Sequence, residues 1–295
     1  MGQALLKELA DAGYTDVHAP GRADADLLDF SQTRALFAAL QPEMVFHLAA
    51  RVSGIMGNMR GQGLSFLENT LINTHVVEAA RMSGVRKVVA MGTAAVYSDL
   101  VPLPMREDDL WLGAPHGSEA AYAHAKRAML AQLEAYRDQY GMAFAYCIAT
   151  NMYGPHDRFD ECNGHVVPSL LSKFERAART GGSVEIWGSG KPQRDFLYAG
   201  DAASALRLAG EQVEGSINLA SGRTHSIAEL VAAVVEVTGF TGDVVWDRTK
   251  PDGQLRRAYD TSRLTRLGWA PSHTLQQGLA ATYQWLARHV ADARR

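Results

Sequence analysis

The chain has 295 residues, 47% of them hydrophobic and 21% charged, with a net charge of −3. That length allows a large core in one or two domains, and the slight acidity excludes the basic field of a nucleic-acid-binding surface. Cys147 and Cys162 provide neither a disulfide framework nor zinc spacing, which fits a metal-free protein of the reducing cytoplasm, and no apolar run approaches the ~18 residues that cross a bilayer. The segment from Met1 to Leu9 lacks the charged-then-apolar order of a signal peptide. Met1-Gly2 invites a myristoylation reading, but Leu6 stands where that signal needs a hydroxyl residue.

Leu5, Leu6, Leu9 and Ala10 recur at helical spacing and Gly13 ends the run, so the chain opens on a helix. A short strand is expected near Asp16–Ala19, then a helix from Ser31 to Leu40 with Ser31 as its cap. Met44 to Ala50 is a continuous apolar run of strand length, which suits a parallel strand buried on both faces. A long helix over about Phe66 to Ser83 leads to a second buried strand, Lys87 to Gly92. The helix holding Tyr122 runs to Tyr140 and precedes a strand at Ala143 to Ile148. Strands alternating with helices predict an α/β fold on a Rossmann-type, doubly wound parallel sheet.

After Asn151 the texture changes. Gly154-Pro155-His156-Asp157 is turn chemistry. A helix is expected over Val167 to Ala178, a strand over Ser183 to Trp187, a further segment from Phe196 and a helix over Asp201 to Gly210. Ser226 to Thr238 reads as a helix, Val244 to Trp246 as a strand, and about Leu275 to Ala293 as the final helix. The pattern predicts a smaller α/β substrate lobe interleaved with the end of the sheet. Residues 1–155 with about 196–222 would form the dinucleotide-binding domain, and 156–195 with 223–295 the lobe.

Tyr122 and Lys126 lie four apart and share one helix face. A phenol ordinarily titrates near pH ~10, and a neighbouring ammonium is expected to pull that value toward neutrality. Tyr122 would then serve as a general acid, giving a proton to a carbonyl oxygen as hydride reaches its carbon. His124, between them, points away on the helix and reads as structural. Ligands of wound parallel sheets bind at the C-terminal strand ends. One strand ends at Leu48-Ala49-Ala50, small residues that let a dinucleotide lie close, and another at Met91-Gly92-Thr93, which places a hydroxyl just past the strand. A third ends at Ala149-Thr150-Asn151-Met152. His47 and Cys147 read as packed core residues.

With His47 to Ile55, Gly92 to Tyr97 and Tyr122 to Lys126 go Thr150 to Asp157, Asn163 to Pro168, Trp187 to Gly190, Arg194-Asp195-Phe196 and Lys250-Pro251-Asp252-Gly253. On these motifs the chain resembles, nearly end to end, the extended short-chain dehydrogenase/reductases. Within them it resembles the GDP-L-fucose synthase family, NADPH-dependent 3,5-epimerases and 4-reductases of GDP-4-keto-6-deoxy-mannose. The resemblance implies that Tyr122 donates the proton to the C4 oxygen, Lys126 tunes it and holds the nicotinamide ribose, and Thr93 replaces a catalytic serine. His165 matches the family's acid in epimerisation and also touches the cofactor. Gly2, Arg22, Leu48, Ala49, Ala50, Met91, Gly92, Ala149, Thr150, Asn151 and Met152 would complete an NADP(H) site, with Arg22 pairing to the 2′-phosphate. Asn151, Lys173, Trp187, Arg194 and Arg257 would contact the nucleotide-diphosphate sugar, Lys250 and Arg256 adding charge near the diphosphate. Asn69 matches an asparagine that supports the active-site backbone. A homodimer through the Phe66 and Tyr122 helices is implied, with no nucleic-acid or membrane partner.

Two departures narrow the expectation. Ala95 stands where the family carries the cysteine that removes protons at C3 and C5, and a methyl group takes no proton. The chain also begins at a residue, Gly2, matching the last glycine of the Gly-x-x-Gly-x-x-Gly turn that follows a first strand in this fold. Either Met1 is an internal methionine of a longer protein, or the first strand is missing and NADPH binding and stability are low. The reading is therefore an NADPH-dependent reductase of the C4 keto group of a nucleotide-linked, GDP-type 4-keto-6-deoxyhexose. A full 3,5-epimerase/4-reductase is the second reading, with Cys162 as substitute base. A non-catalytic nucleotide-sugar-binding protein is the third.

Overall fold

A computed structural model describes residues 1–52, 61–161, 164–290 and 293. Ser53, Gly54, Ile55, Cys162 and Asn163 of the motifs above lie outside the described residues, and so does any role of Cys162 as a base. Helix α1 (Gly2–Asp11) and helix α2 (Phe30–Leu40) precede strand β1 (Met44–His47). Helix α3 (Gln62–Met82), β2 (Lys87–Met91), α4 (Ala120–Tyr140) and β3 (Ala143–Ala149) follow in strict alternation. Then come β4 (Asn151–Tyr153), α5 (Val166–Thr180), β5 (Val184–Trp187), β6 (Gln193–Tyr198), α6 (Ala199–Gln212), β7 (Gly215–Leu219) and β8 (Thr224–Ser226). Helix α7 (Ile227–Thr238), β9 (Val244–Asp247), α8 (Ser262–Arg266) and α9 (Leu275–Arg288) close the chain.

The main sheet is parallel, in the order β1-β2-β3-β7. Every residue of β2 is buried, because helices cover both faces. Side chains alternate along a strand, so Val88 and Ala90 of β2 pack with Val76, Val77, Leu130 and Leu133 from α3 and α4. Val89 and Met91 pack on the opposite face with Leu5 and Leu9 of α1 and Ala202 and Leu206 of α6. A third cluster joins α5, α7 and α9 to the two-stranded β5–β9 sheet through Leu171, Phe174, Ile186, Leu230, Val234 and Leu279. A small sheet, β4-β6-β8, is built from strands interleaved in the chain with both the main sheet and that cluster.

Several local expectations need correction. No strand forms at Asp16–Ala19; that segment is exposed and runs without a ladder partner. The cap of α2 is Asp29, whose carboxylate accepts from the backbone amides of Ser31 and Gln32, so the helix begins one residue before Ser31. Helix α9 stops at Arg288, short of Ala293. Strand β7 was hidden by its polar residues. Asn218 is fully buried there because Tyr97 Oη donates to its Oδ1 at 2.8 Å and its Nδ2 donates to the carbonyls of Met105 and Asp260. Among the described residues no helix is long and apolar enough to cross a membrane, and no cluster of side chains suited to a metal ion occurs.

Candidate active site

The C-terminal ends of β1, β2 and β3 open into one cleft of about 1170 Å³. Leu48 and Ala50, past β1, line it, as do Met91 and Gly92 at the end of β2. A Cβ on Gly92 would stand 2.7 Å from the ring of the buried Tyr146, so glycine is required for the strand to reach this point. Thr93 follows in extended conformation and its Oγ1 accepts from the amide of Ala95, which leaves the hydroxyl proton to donate into the cleft. Ala95 is buried in the wall.

Helix α4 brings Tyr122 and Lys126 to the same wall. Lys126 Nζ donates to the Met91 carbonyl at 2.8 Å and lies 5.9 Å from the centre of the Tyr122 ring. Burial pulls the Lys126 ammonium down to about 8. Tyr122 departs from expectation: burial first, and then the charge of Glu119, push its phenol above the ordinary value. Lys126 is occupied by a carbonyl while the half-buried ring lies near the Glu119 charge, so the protein alone keeps Tyr122 protonated. His124 is exposed. His47 is buried, its Nε2 2.9 Å from Asn73 Oδ1, and burial followed by the Lys126 charge lowers it to about 4. Asn69 holds the strand end: its Oδ1 accepts from Arg51 N and its Nδ2 donates to Arg51 O, both at 3.0 Å.

Ala149, Thr150, Asn151 and Met152 form the third strand end in the cleft. Thr150 Oγ1 donates to Asp195 Oδ1 at 3.3 Å and Asn151 Nδ2 to the Asp195 carbonyl at 3.0 Å, so both side chains brace β6. His165 caps α5 through its backbone only and is exposed to the cleft, with Lys173 two turns further along the helix. Trp187, 61% exposed on β5, receives the Lys250 ammonium 5.5 Å above its ring and donates from Nε1 to Glu185. Arg194 donates to the carbonyls of Gln193 and Gln254, and burial, then the neighbouring Arg257, lowers its affinity for a proton. Arg257 is only 8% exposed, yet among the described residues its Nε and Nη2 have no hydrogen-bond partner. Buried guanidinium donors left unpaired are costly, and two guanidiniums side by side call for an anion.

Five expected residues fall outside the lining, Lys250 and Arg256 among them. Ala49 alternates away from Leu48 and Ala50. Gly2 begins α1, though Met1 beside it does line the cleft. Arg22 sits on an exposed turn, since no strand forms before it to aim it. Conversely, His116, Ser118, Glu119, Gln254 and Tyr259 line the cleft without having been foreseen. Small residues at three strand ends, a lysine aimed past β2 and a long cleft fit a dinucleotide; Leu48, Ala50, Gly92, Lys126 and Thr150 are the residues that would hold it.

A wound parallel sheet with Thr93, Tyr122 and Lys126 at one strand end, facing a guanidinium-bearing lobe, defines an oxidoreductase of the extended short-chain class. The chain belongs to the NAD dependent epimerase/dehydratase family, whose profile matches residues 1–220. It is 37% identical over 299 residues to the probable GDP-L-fucose synthase 1 of Oryza sativa subsp. japonica, covering 100% of this chain and 91% of that one. It is 35% identical to the GDP-L-fucose synthase of Escherichia coli K12, covering 97% and 92%. Among solved structures it resembles a GDP-L-fucose synthetase from Naegleria fowleri bound to NADP, with a TM-score of 0.92, 29% identity and coverage of 100% and 92%. A GDP-6-OMe-4-keto-L-xylo-heptose reductase from C. jejuni gives a TM-score of 0.91 at 26% identity, covering 98% and 94%.

Proposed function

We propose that the protein uses NADPH to reduce the C4 keto group of a GDP-linked 4-keto-6-deoxyhexose, without epimerising C3 or C5. The observation that carries this reading is the pairing, across one cleft, of Thr93, Tyr122 and Lys126 with the buried guanidinium of Arg257, whose Nε and Nη2 have no partner among the described residues. Bound NADPH would supply the hydride. Arg257 and Arg194 hold the diphosphate, and Trp187 and Lys173 steady the nucleotide end. Thr93 donates a hydrogen bond from its free hydroxyl to the C4 oxygen and orients it. Tyr122, held protonated by its surroundings, delivers a proton to that oxygen as charge develops on it. Lys126, tied to Met91, stabilises the phenolate left behind. His165 faces the same space as a further proton carrier, but Ala95 supplies no base.

NADPH oxidation is measured with GDP-4-keto-6-deoxy-mannose in D2O, followed by NMR of the product. Reduction with no deuterium at C3 or C5 is the expected result. Label at those carbons would favour the epimerase-reductase, and no oxidation with retained binding would favour a binding protein.

We further propose the two-lobe division at 1–155 with 196–222 and 156–195 with 223–295, a cytoplasmic location, and a homodimer through α3 and α4. The exposed Phe66 and Leu67 on α3 and Tyr140 on α4 support the last. Light scattering would show a dimer that Leu67→Glu converts to a monomer.

A further inference from the structure

The structure assigns to Glu119 a role in specificity: we propose that its carboxylate accepts a hydrogen bond from a hydroxyl of the substrate's sugar ring. The inference rests on the nucleotide-sugar reading above. Glu119 is the N-cap residue of α4, one helical turn before Tyr122, and it lines the cleft. An N-cap side chain ordinarily accepts from the free amides of the first turn, but Glu119 makes no such bond. Among the described residues its carboxylate accepts no hydrogen bond and forms no ion pair. Its neighbours on the turn satisfy each other instead, His116 Nδ1 lying 2.9 Å from Ser118 Oγ.

The charge of Glu119 acts on Tyr122, on Arg194 and on Tyr259, residues from both walls. Glu119 lines the same cleft as the proton donor Tyr122 and the guanidiniums of Arg194 and Arg257, the space that a sugar must enter. A carboxylate there repels both a diphosphate and the oxyanion developing at C4. It can accept only from neutral donors, and a sugar ring offers them as hydroxyls. A site built to hydrogen-bond a hydroxyl discriminates strongly against ligands that lack one.

The two ligand parts therefore respond to Glu119 with opposite sign. Calorimetry on the full chain would compare GDP with GDP-mannose, a stable probe carrying a hydroxylated ring. Glu119→Ala should weaken GDP-mannose about 10-fold or more and leave GDP unchanged or slightly tighter, since a like charge near the diphosphate is removed. Glu119→Gln, which keeps an acceptor oxygen, should fall between. Parallel loss of both ligands, or an unchanged ratio, overturns the assignment. A wild-type protein that binds GDP and shows no Glu119-dependent preference overturns it while leaving the nucleotide reading intact; failure to bind either ligand removes both.

Discussion

The ammonium of Lys126 on α4 donates to the carbonyl oxygen of Met91, the last residue of β2, at 2.8 Å. One turn earlier on the same helix stands Tyr122, and two residues beyond Met91 stands Thr93. This single bond thus keeps the proton donor and the orienting hydroxyl in register, one from a helix and one from a strand end.

Removing the phenol should separate chemistry from binding. Tyr122→Phe preserves the ring, so the sugar-nucleotide KM should stay within a few-fold while kcat falls by about 10²–10⁴. Thr93→Ser should retain most activity, and Thr93→Val should lose it in kcat. Steady-state NADPH oxidation reads all three.

Lys126 should make stability rise in alkali. Its folded value of about 8 lies below its ordinary 10.5. Between the two the unfolded chain holds more protons, so stability increases with pH through that window and is lost again as pH falls through about 8. The full effect is on the order of 3 kcal/mol. Urea titrations of wild type and Lys126→Met should show a difference that shifts in the wild type's favour from pH 7 to pH 10. A constant difference would refute the assignment.

His47 should govern an acid limb. Buried and lowered to about 4 from an ordinary 6.5, it is neutral in the folded protein, while the unfolded chain takes up its proton first. Stability contributed by the neutral ring is complete above about 6.5 and is lost as pH falls toward 4, by about 3 kcal/mol. His47→Gln should flatten that limb in thermal melts across the same window.

Arg257 should oppose stability and serve binding. Its buried Nε and Nη2 lack partners among the described residues, so Arg257→Met is expected to raise the stability of the protein alone by about 1–3 kcal/mol. The same change should weaken GDP by 10-fold or more. Calorimetry and melting curves on one preparation test both signs; a variant that binds GDP normally would contradict the placement of the diphosphate.

Much of the framework was legible because its signals are local. Apolar runs at β2 and β3 require burial on both faces, whereas β1, an edge strand of the described sheet, is buried only at His47; the Tyr122–Lys126 spacing follows from helix geometry alone. Strand β7 escaped notice because Asn218 is polar, and only Tyr97, Met105 and Asp260, far apart in the chain, satisfy it. The expected strand at Asp16–Ala19 had suitable residues but no neighbour to share a ladder.

By itself the sequence determined which residue types were available: an acid, its lysine, a strand-end hydroxyl, two guanidiniums, and a methyl at Ala95 where a base would be needed. Spacing and residue chemistry suffice for that. Only the tertiary structure decided how those groups behave. It turned Lys126 toward Met91, packed Tyr122 so that burial and the Glu119 charge raise its phenol, left two buried donors of Arg257 without a partner among the described residues, and brought Glu119 into the same cleft as Arg194. Those outcomes depend on burial and on charges from distant segments, and a linear pattern carries neither.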